Sequence, residues 1–312
     1  GHFGLPIVSS PMDTVTEDEM CAAILRTGGL GVIHRYNTIQ EQCEIAAKVY
    51  EEFDQENSNL KGKIAAAIGV SGDYLERAKA LHDAGVKIFC VDVAHGHHLL
   101  MKDALTKLRS VFGELVHIMA GNVATLEAFN DLSDWGADSV RVGIGGGSIC
   151  STRIMTGHGV PTLQSVLDCS ASDRSALLVA DGGIKTSGDI VKCLAAGADL
   201  VMLGSLLAGT DETPGEFYFD AKEKTFMKTY RGMASVEAQI NWRGHTASVE
   251  GVSSSVHKKG PVKTILSDLE QGIRSGLSYS GSKSLSDFRA QSSFIRQTVS
   301  GATESSTHIN RR

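Results

Sequence analysis

A cysteine set among small polar residues at the end of a glycine run is the feature of this chain best suited to chemistry. From Val142 the string Val-Gly-Ile-Gly-Gly-Gly-Ser-Ile-Cys-Ser-Thr-Arg leaves a β-branched strand, passes through glycines and delivers Cys150 into a loop. Glycine permits backbone conformations closed to other residues and lets a chain approach a ligand closely. A thiol there, beside Arg153 and the N–H groups of the loop, suits a nucleophilic thiolate. On the local string alone, a glycine-rich connector with an incidental cysteine stays open.

Two further strings suit an anion. Asp181-Gly182-Gly183 and Gly204-Ser205 end strand-like runs, where glycine N–H groups and a helix N-terminus can meet a phosphate. A carboxylate repels phosphate, so Asp181 is assigned to a ribose hydroxyl. Ordinary strand-to-helix turns use the same glycines, and that reading also stays open. Residues 210–259 then carry Tyr230-Arg231-Gly232-Met233-Ala234-Ser235, Trp242, Arg243, His245 and Glu250. A long excursion at that point reads as a lid or substrate loop.

The elements that must position these residues alternate almost without interruption. Apolar runs at 5–12, 30–34, 63–70, 88–95, 115–123, 139–145, 176–184 and 200–209 read as strands. Helical patterns fall between them at 17–27, 38–53, 73–84, 98–112, 126–135, 162–168 and 187–196, with 262–277 as the closing helix. Repeated βα units of this length predict an α/β fold, an eight-fold parallel TIM barrel. Asp83-Ala84-Gly85-Val86, Trp135-Gly136-Ala137-Asp138 and Ala196-Gly197-Ala198-Asp199 form a weak repeat at helix-to-strand turns. A doubly wound open sheet is the rival, disfavoured because no GxGxxG follows the first strand. The predicted strand ends are polar (Ser9-Ser10-Pro11-Met12-Asp13, His34-Arg35, Asp92 to Gly96, Gly121-Asn122), which places function at that end of the barrel.

Composition narrows the classes. A net charge of -6 without a Lys/Arg cluster speaks against nucleic acid. Six cysteines, none in a CxxC pair, read as reduced thiols of a cytoplasmic protein rather than a disulfide or zinc framework. No apolar run reaches the roughly 18 residues of a membrane span.

Taken together, these motifs resemble one family, the enzymes comprising inosine monophosphate dehydrogenase and guanosine monophosphate reductase. The resemblance runs through Ser9-Ser10-Pro11-Met12-Asp13, residues 29–34, Ala120-Gly121-Asn122-Val123, the GSxCxTR loop, Asp181-Gly182-Gly183, residues 230–233 and Gly272-Ile273-Arg274-Ser275. It implies a TIM barrel, a homotetramer and a purine nucleotide (GMP or IMP) as ligand. Dehydrogenases of the family usually insert a regulatory domain where this chain has only residues 51–62. A single barrel domain over 1–281 and a tail over 282–312 are therefore expected.

By similarity, Cys150 adds to C2 of the purine, with Thr152 and Glu250 as its catalytic partners. Ser10, Asn122, Ser148, Asp181, Gly182, Gly183, Gly204, Ser205, Met233, Ala234, Ser235 and Gly251 would bind the nucleotide. Asp92, Val93, Ala94, Gly143 and Gly145 would face a nicotinamide cofactor, NADPH, with NADH left open. Gly145, Gly147, Cys150 and Arg153 lie on the loop that holds potassium in the family.

The resemblance favours the reductase, which converts GMP to IMP and ammonia with NADPH through a covalent Cys150 intermediate. Ser151-Thr152-Arg153 and Thr156-Gly157-His158-Gly159-Val160-Pro161 are similar to its CTTR…TGxGxP pattern, and Asp92-Val93-Ala94-His95-Gly96 to its DVANG. Glu250-Gly251 stands where dehydrogenases have Gln-Gly, and residues 233–250 contain no Arg-Tyr pair. A glutamate can hand a proton to departing ammonia, and glutamine cannot. Against this, Tyr230-Arg231-Gly232-Met233, His34-Arg35 and the tail at 304–308 are closer to the dehydrogenase, which oxidises IMP with NAD. A nucleotide-binding barrel without activity is the third reading. From the residues alone, Glu250 can also be a solvated loop carboxylate and Thr152 a helix cap.

Overall fold

The structure, a computed structural model, describes residues 4–55, 63–305 and 307. Eight strands close a parallel barrel in chain order: β1 (Ile7–Ser9), β2 (Leu30–Ile33), β3 (Ala65–Ile68), β4 (Ile88–Asp92), β5 (His117–Val123), β6 (Ser139–Val142), β7 (Leu177–Asp181) and β8 (Leu200–Leu203). Closure is direct, since Val8 pairs with Leu30 of β2 on one side and Met202 of β8 on the other. The open-sheet rival is thereby excluded.

Helices cover the outside: α1 (Asp18–Arg26), α2 (Ile39–Gln55), α3 (Tyr74–Asp83), α4 (Leu99–Phe112) and α5 (Leu126–Asp134) follow the first five strands. A short α6 (Thr152–Thr156) and then α7 (Thr162–Cys169) follow β6, and α8 (Ser187–Ala195) follows β7. The two-residue period of a strand divides each between two cores. Val8, Val32, Ala65, Ala67, Cys90, Met119, Val179 and Met202 fill the barrel interior. Their neighbours Ile7, Ile33, Ala66, Phe89, Ile118, Ala180 and Val201 pack outward against the helices.

The strands are shorter than the apolar runs predict. The run at 5–12 pairs only over Ile7–Ser9, and that at 200–209 only over Leu200–Leu203. Ser10 still donates its N–H to Leu203 O at 3.0 Å, but Pro11 has no donor, and the chain turns away. The residues shed by the ladders build the loops at its C-terminal end. The helix-to-strand repeat also has a physical role. Asp138 and Asp199 accept the N–H groups of Ile118 and Leu178 at 2.6 and 2.8 Å, tying each turn to the preceding strand.

After β8 the chain builds an antiparallel sheet, ordered β11-β10-β9, from β9 (Tyr218–Asp220), β10 (Thr225–Arg231) and β11 (Ser253–His257). Helix α9 (Val236–Arg243) lies between β10 and β11. Lys228 of β10 fastens this sheet to the barrel, donating to the carbonyls of Thr210, Asp211 and Thr213 at 3.3, 3.3 and 2.5 Å. The closing helix α10 (Val262–Tyr279) packs on α8 at Gly272, where a Cβ would stand 2.3 Å from that of Ser187. Two short helices end the described chain, α11 (Leu285–Gln291) and α12 (Val299–Glu304). α11 is docked on the barrel: Phe288 is buried and Arg289 binds Ala198 O and Asp199. Of the dehydrogenase-like tail segment at 304–308, residues 306 and 308 lie outside the described residues, as does most of 51–62.

Candidate active site

The strand ends and the β9–β11 sheet enclose a cavity of about 490 Å³. Every residue assigned from the sequence to catalysis, nucleotide or cofactor lines it, with Ser235 the one exception. Ser235 is fully buried and accepts the N–H of Ala238 at 3.2 Å as the N-cap of α9. It shapes the roof from behind.

At the reacting end, three side chains form one hydrogen-bonded line. Cys150 Sγ donates to Thr152 Oγ1 at 3.2 Å, and that hydroxyl donates to Glu250 Oε2 at 2.8 Å. Ser248 holds the other carboxylate oxygen at 2.8 Å. Glu250 is no stray loop carboxylate, because its backbone is built into the nucleophile loop. Cys150 bridges Gly251, Ser151 N–H donates to Glu250 O at 2.9 Å, and Val252 N–H to Ile149 O at 3.0 Å. Thr152 opens α6 instead of capping it, which leaves its hydroxyl to the relay.

Arg153 does not sit beside the thiol as expected. It lies within α6, and its guanidinium reaches back to the carbonyls of Val160 at 2.7 Å and Ile144 at 3.5 Å. There it packs against Gly145 and Gly159 and supports the glycine loop.

The floor is an arginine the sequence reading left without a role. Arg141 of β6 projects into the barrel, donating to Asp92 Oδ1 at 2.5 Å and Asp181 Oδ2 at 2.9 Å. Burial opposes its charge, but Asp92 and Asp181 hold it protonated well above the ordinary arginine range. Asn122 donates to the same Asp181 oxygen at 2.8 Å. Among the described residues nothing donates to Asp181 Oδ1, the oxygen a ribose hydroxyl would meet. Gly143 makes the close packing possible: at φ +147°, a Cβ on it would lie 1.8 Å from Asp181 O.

The opposite end suits a phosphate, though not through a helix terminus as expected. The N-terminus of α8 is closed by its own capping box, Thr186 with Asp189. The N–H groups of Gly182, Gly183, Ser205 and Leu206, by contrast, donate to no acceptor among the described residues. Tyr230 joins them, a buried side chain with its hydroxyl 3.0 Å from where a Gly204 Cβ would stand. Burial pushes its phenol pKa up, so near neutral pH it remains a donor. Its only sequence signal is the YRGM string.

The roof is tied down by contacts that spacing alone does not show. Gln239 donates to Ala234 O and Ser248 O at 3.0 and 3.1 Å and accepts from Ala247 N–H at 2.8 Å. Trp242 stacks on Tyr36, centroids 4.2 Å apart, and Tyr36 Oη donates to Met233 O at 2.7 Å. Asp13 binds Arg231 at 2.6 Å. His245 caps the turn at Arg243 O and does not line the cavity.

The glycine loop leaves carbonyls that could be offered to a weakly hydrated monovalent cation. The carbonyls of Gly145 and Cys150 accept no hydrogen bond from the described residues, and that of Gly147 takes one, from Cys150 N–H at 3.1 Å. Among the described residues no cluster of His, Cys, Asp or Glu suits a transition metal.

A closed βα barrel whose mouth holds a thiol linked to a carboxylic acid, with open backbone N–H groups across the same cavity, is the class that the fold and site define. Comparison with known proteins narrows it. The chain belongs to the IMP dehydrogenase / GMP reductase family, whose domain model matches residues 2–308. It is 46% identical to a GMP reductase of Leishmania major over 258 residues, 78% of this chain and 52% of that protein. It is 44% identical to an inosine-5'-monophosphate dehydrogenase of Bacillus subtilis (strain 168) over 269 residues, 82% of this chain and 54% of that one. The chain thus spans about half the length of these curated relatives. A GMP reductase variant from Trypanosoma brucei, with alanine replacing a cysteine and solved in complex with guanosine 5'-monophosphate, superposes with a TM-score of 0.90. It is 30% identical, over 98% of this chain and 91% of that one.

Proposed function

We propose that this protein is a GMP reductase, converting GMP to IMP and ammonia at the expense of NADPH. The observation that carries the proposal is the line Cys150–Thr152–Glu250. It ends in a carboxylate, which can hold and return a proton, where a glutamine would only accept a hydrogen bond. The arrangement suits a substitution divided into two steps.

In the first, the Cys150 proton passes through the Thr152 hydroxyl to Glu250. The thiolate adds to purine C2, the C2–N bond breaks, and Glu250 returns the proton to the departing amine. In the second, a nicotinamide held near Asp92, Val93 and Ala94 would supply hydride to C2; the C–S bond breaks, IMP is released, and the Cys150 thiolate left behind takes up a proton. The sum is GMP, NADPH and a proton giving IMP, NADP and ammonia. Throughout, Asp181 holds the ribose, the N–H groups of Gly182, Gly183, Ser205 and Leu206 hold the phosphate with Tyr230, and Met233 and Ala234 border the base. Asp92, Val93 and Ala94 would face the cofactor. Gly145, Gly147 and Cys150 would offer carbonyls to potassium, whose role is to hold the nucleophile loop in shape.

The test is a paired assay of reduced nicotinamide by absorbance. With GMP and NADPH the signal should fall; with IMP and NAD it should stay flat. NADH formation from IMP, without GMP-dependent NADPH loss, establishes the dehydrogenase. Nucleotide binding without turnover in either mixture establishes the silent barrel.

A further inference from the structure

The cation best placed to complement a nucleotide phosphate does not itself line the cavity. Lys259 follows β11, and its backbone N–H is anchored to Gly209 O at 2.9 Å. Its ammonium donates to Ser205 O at 2.7 Å and to Leu206 O at 3.2 Å. These belong to the turn in which the N–H groups of Ser205 and Leu206 have no described acceptor, and Ser205 lines the cavity. A trans peptide directs its C=O and N–H to opposite sides. The peptide joining Ser205 to Leu206 therefore has an ammonium on its oxygen and an open donor on its far side. A cation on a carbonyl polarises the amide and strengthens its N–H as a donor.

The surrounding charges agree. Lys258, the preceding residue, pairs with Asp211 at 3.2 Å, whereas no described carboxylate pairs with Lys259. Although much of its side chain is exposed, desolvation at the ammonium lowers its pKa below the ordinary lysine value. Its partners are carbonyls alone, so its charge is available to an anion held by the turn.

We infer that Lys259 is a positioning residue for the nucleotide's phosphate, acting through the Ser205–Leu206 peptide without touching the ligand. The inference rests on the nucleotide placement proposed above but not on which reaction follows. A lysine just past β11 that grips the turn after β8 also couples the roof sheet to the phosphate cradle, so that both are set by one side chain.

The experiment is calorimetric binding of GMP, IMP and guanosine to the full chain and to Lys259→Met, Lys259→Gln and Lys259→Arg, with thermal melts. Lys259→Met and Lys259→Gln should weaken GMP and IMP by about tenfold, the loss of one charge-assisted contact. Guanosine binding should not change, KM should rise with kcat held, and Lys259→Arg should recover most of the affinity. Lys259→Gln keeps a donor for one carbonyl, so it tests the charge even if Lys259→Met fails to fold. Equal weakening of nucleoside and nucleotide, or no weakening of either, overturns the inference. Nucleotides that bind in this pattern without GMP-dependent NADPH loss overturn the reductase and leave the inference standing. A wild-type protein that binds neither nucleotide overturns both.

Discussion

Replacing Cys150 with alanine should lower turnover of GMP by roughly 10⁴-fold or more while nucleotide affinity stays within a few-fold of the parent. The two effects separate because the thiol and the binding contacts belong to different elements. Cys150 sits on the loop after β6, whereas Asp181, Gly182, Gly183 and the turn at Gly204, the proposed ribose and phosphate contacts, follow β7 and β8. Removing Sγ deletes the atom proposed to bond to C2 and should leave Thr152 still donating to Glu250. Steady-state rates and binding isotherms on the same preparation check this. Turnover within tenfold of the parent removes the covalent role of Cys150.

Glu250→Gln is the second large effect, a fall in kcat of roughly 10²–10⁴-fold. The substitution keeps the shape and the acceptor oxygen on which the Thr152 hydroxyl donates, so KM for GMP should move little. It removes the proposed capacity to take a proton from the thiol and return it to the amine. The loss should therefore appear in single-turnover ammonia release, before hydride transfer. Unchanged release would return Glu250 to an ordinary loop carboxylate.

The barrel was legible because apolar strand runs and amphipathic helices alternate along most of the chain. Strand limits were not, since Ser10 to Met12 and Gly204 to Gly209 share strand composition but leave the ladder to build the site. Cys150, Thr152 and Glu250 were found by residue type and family likeness, yet Thr152 and Glu250 lie 98 residues apart and their contact follows only from the roof sheet. Arg141 was missed because a charge inside a strand run carries no partner in its own string. Asp92 and Asp181 reach it from strands 49 and 40 residues away. Ser235 and Arg153 were misplaced for the opposite reason. Closeness in sequence suggested closeness to the ligand, but helix geometry turns Ser235 into a cap and carries the Arg153 guanidinium behind the glycine loop. The Ser-first pattern of α9 is itself a capping signal.

Counting ammonium against NADPH in one reaction mixture tests the central claim most directly. If Cys150 and Glu250 expel the purine amine before hydride arrives, each NADPH consumed with GMP yields one ammonium and one IMP. Ammonium-free turnover, with NADH appearing from IMP and NAD instead, contradicts the account.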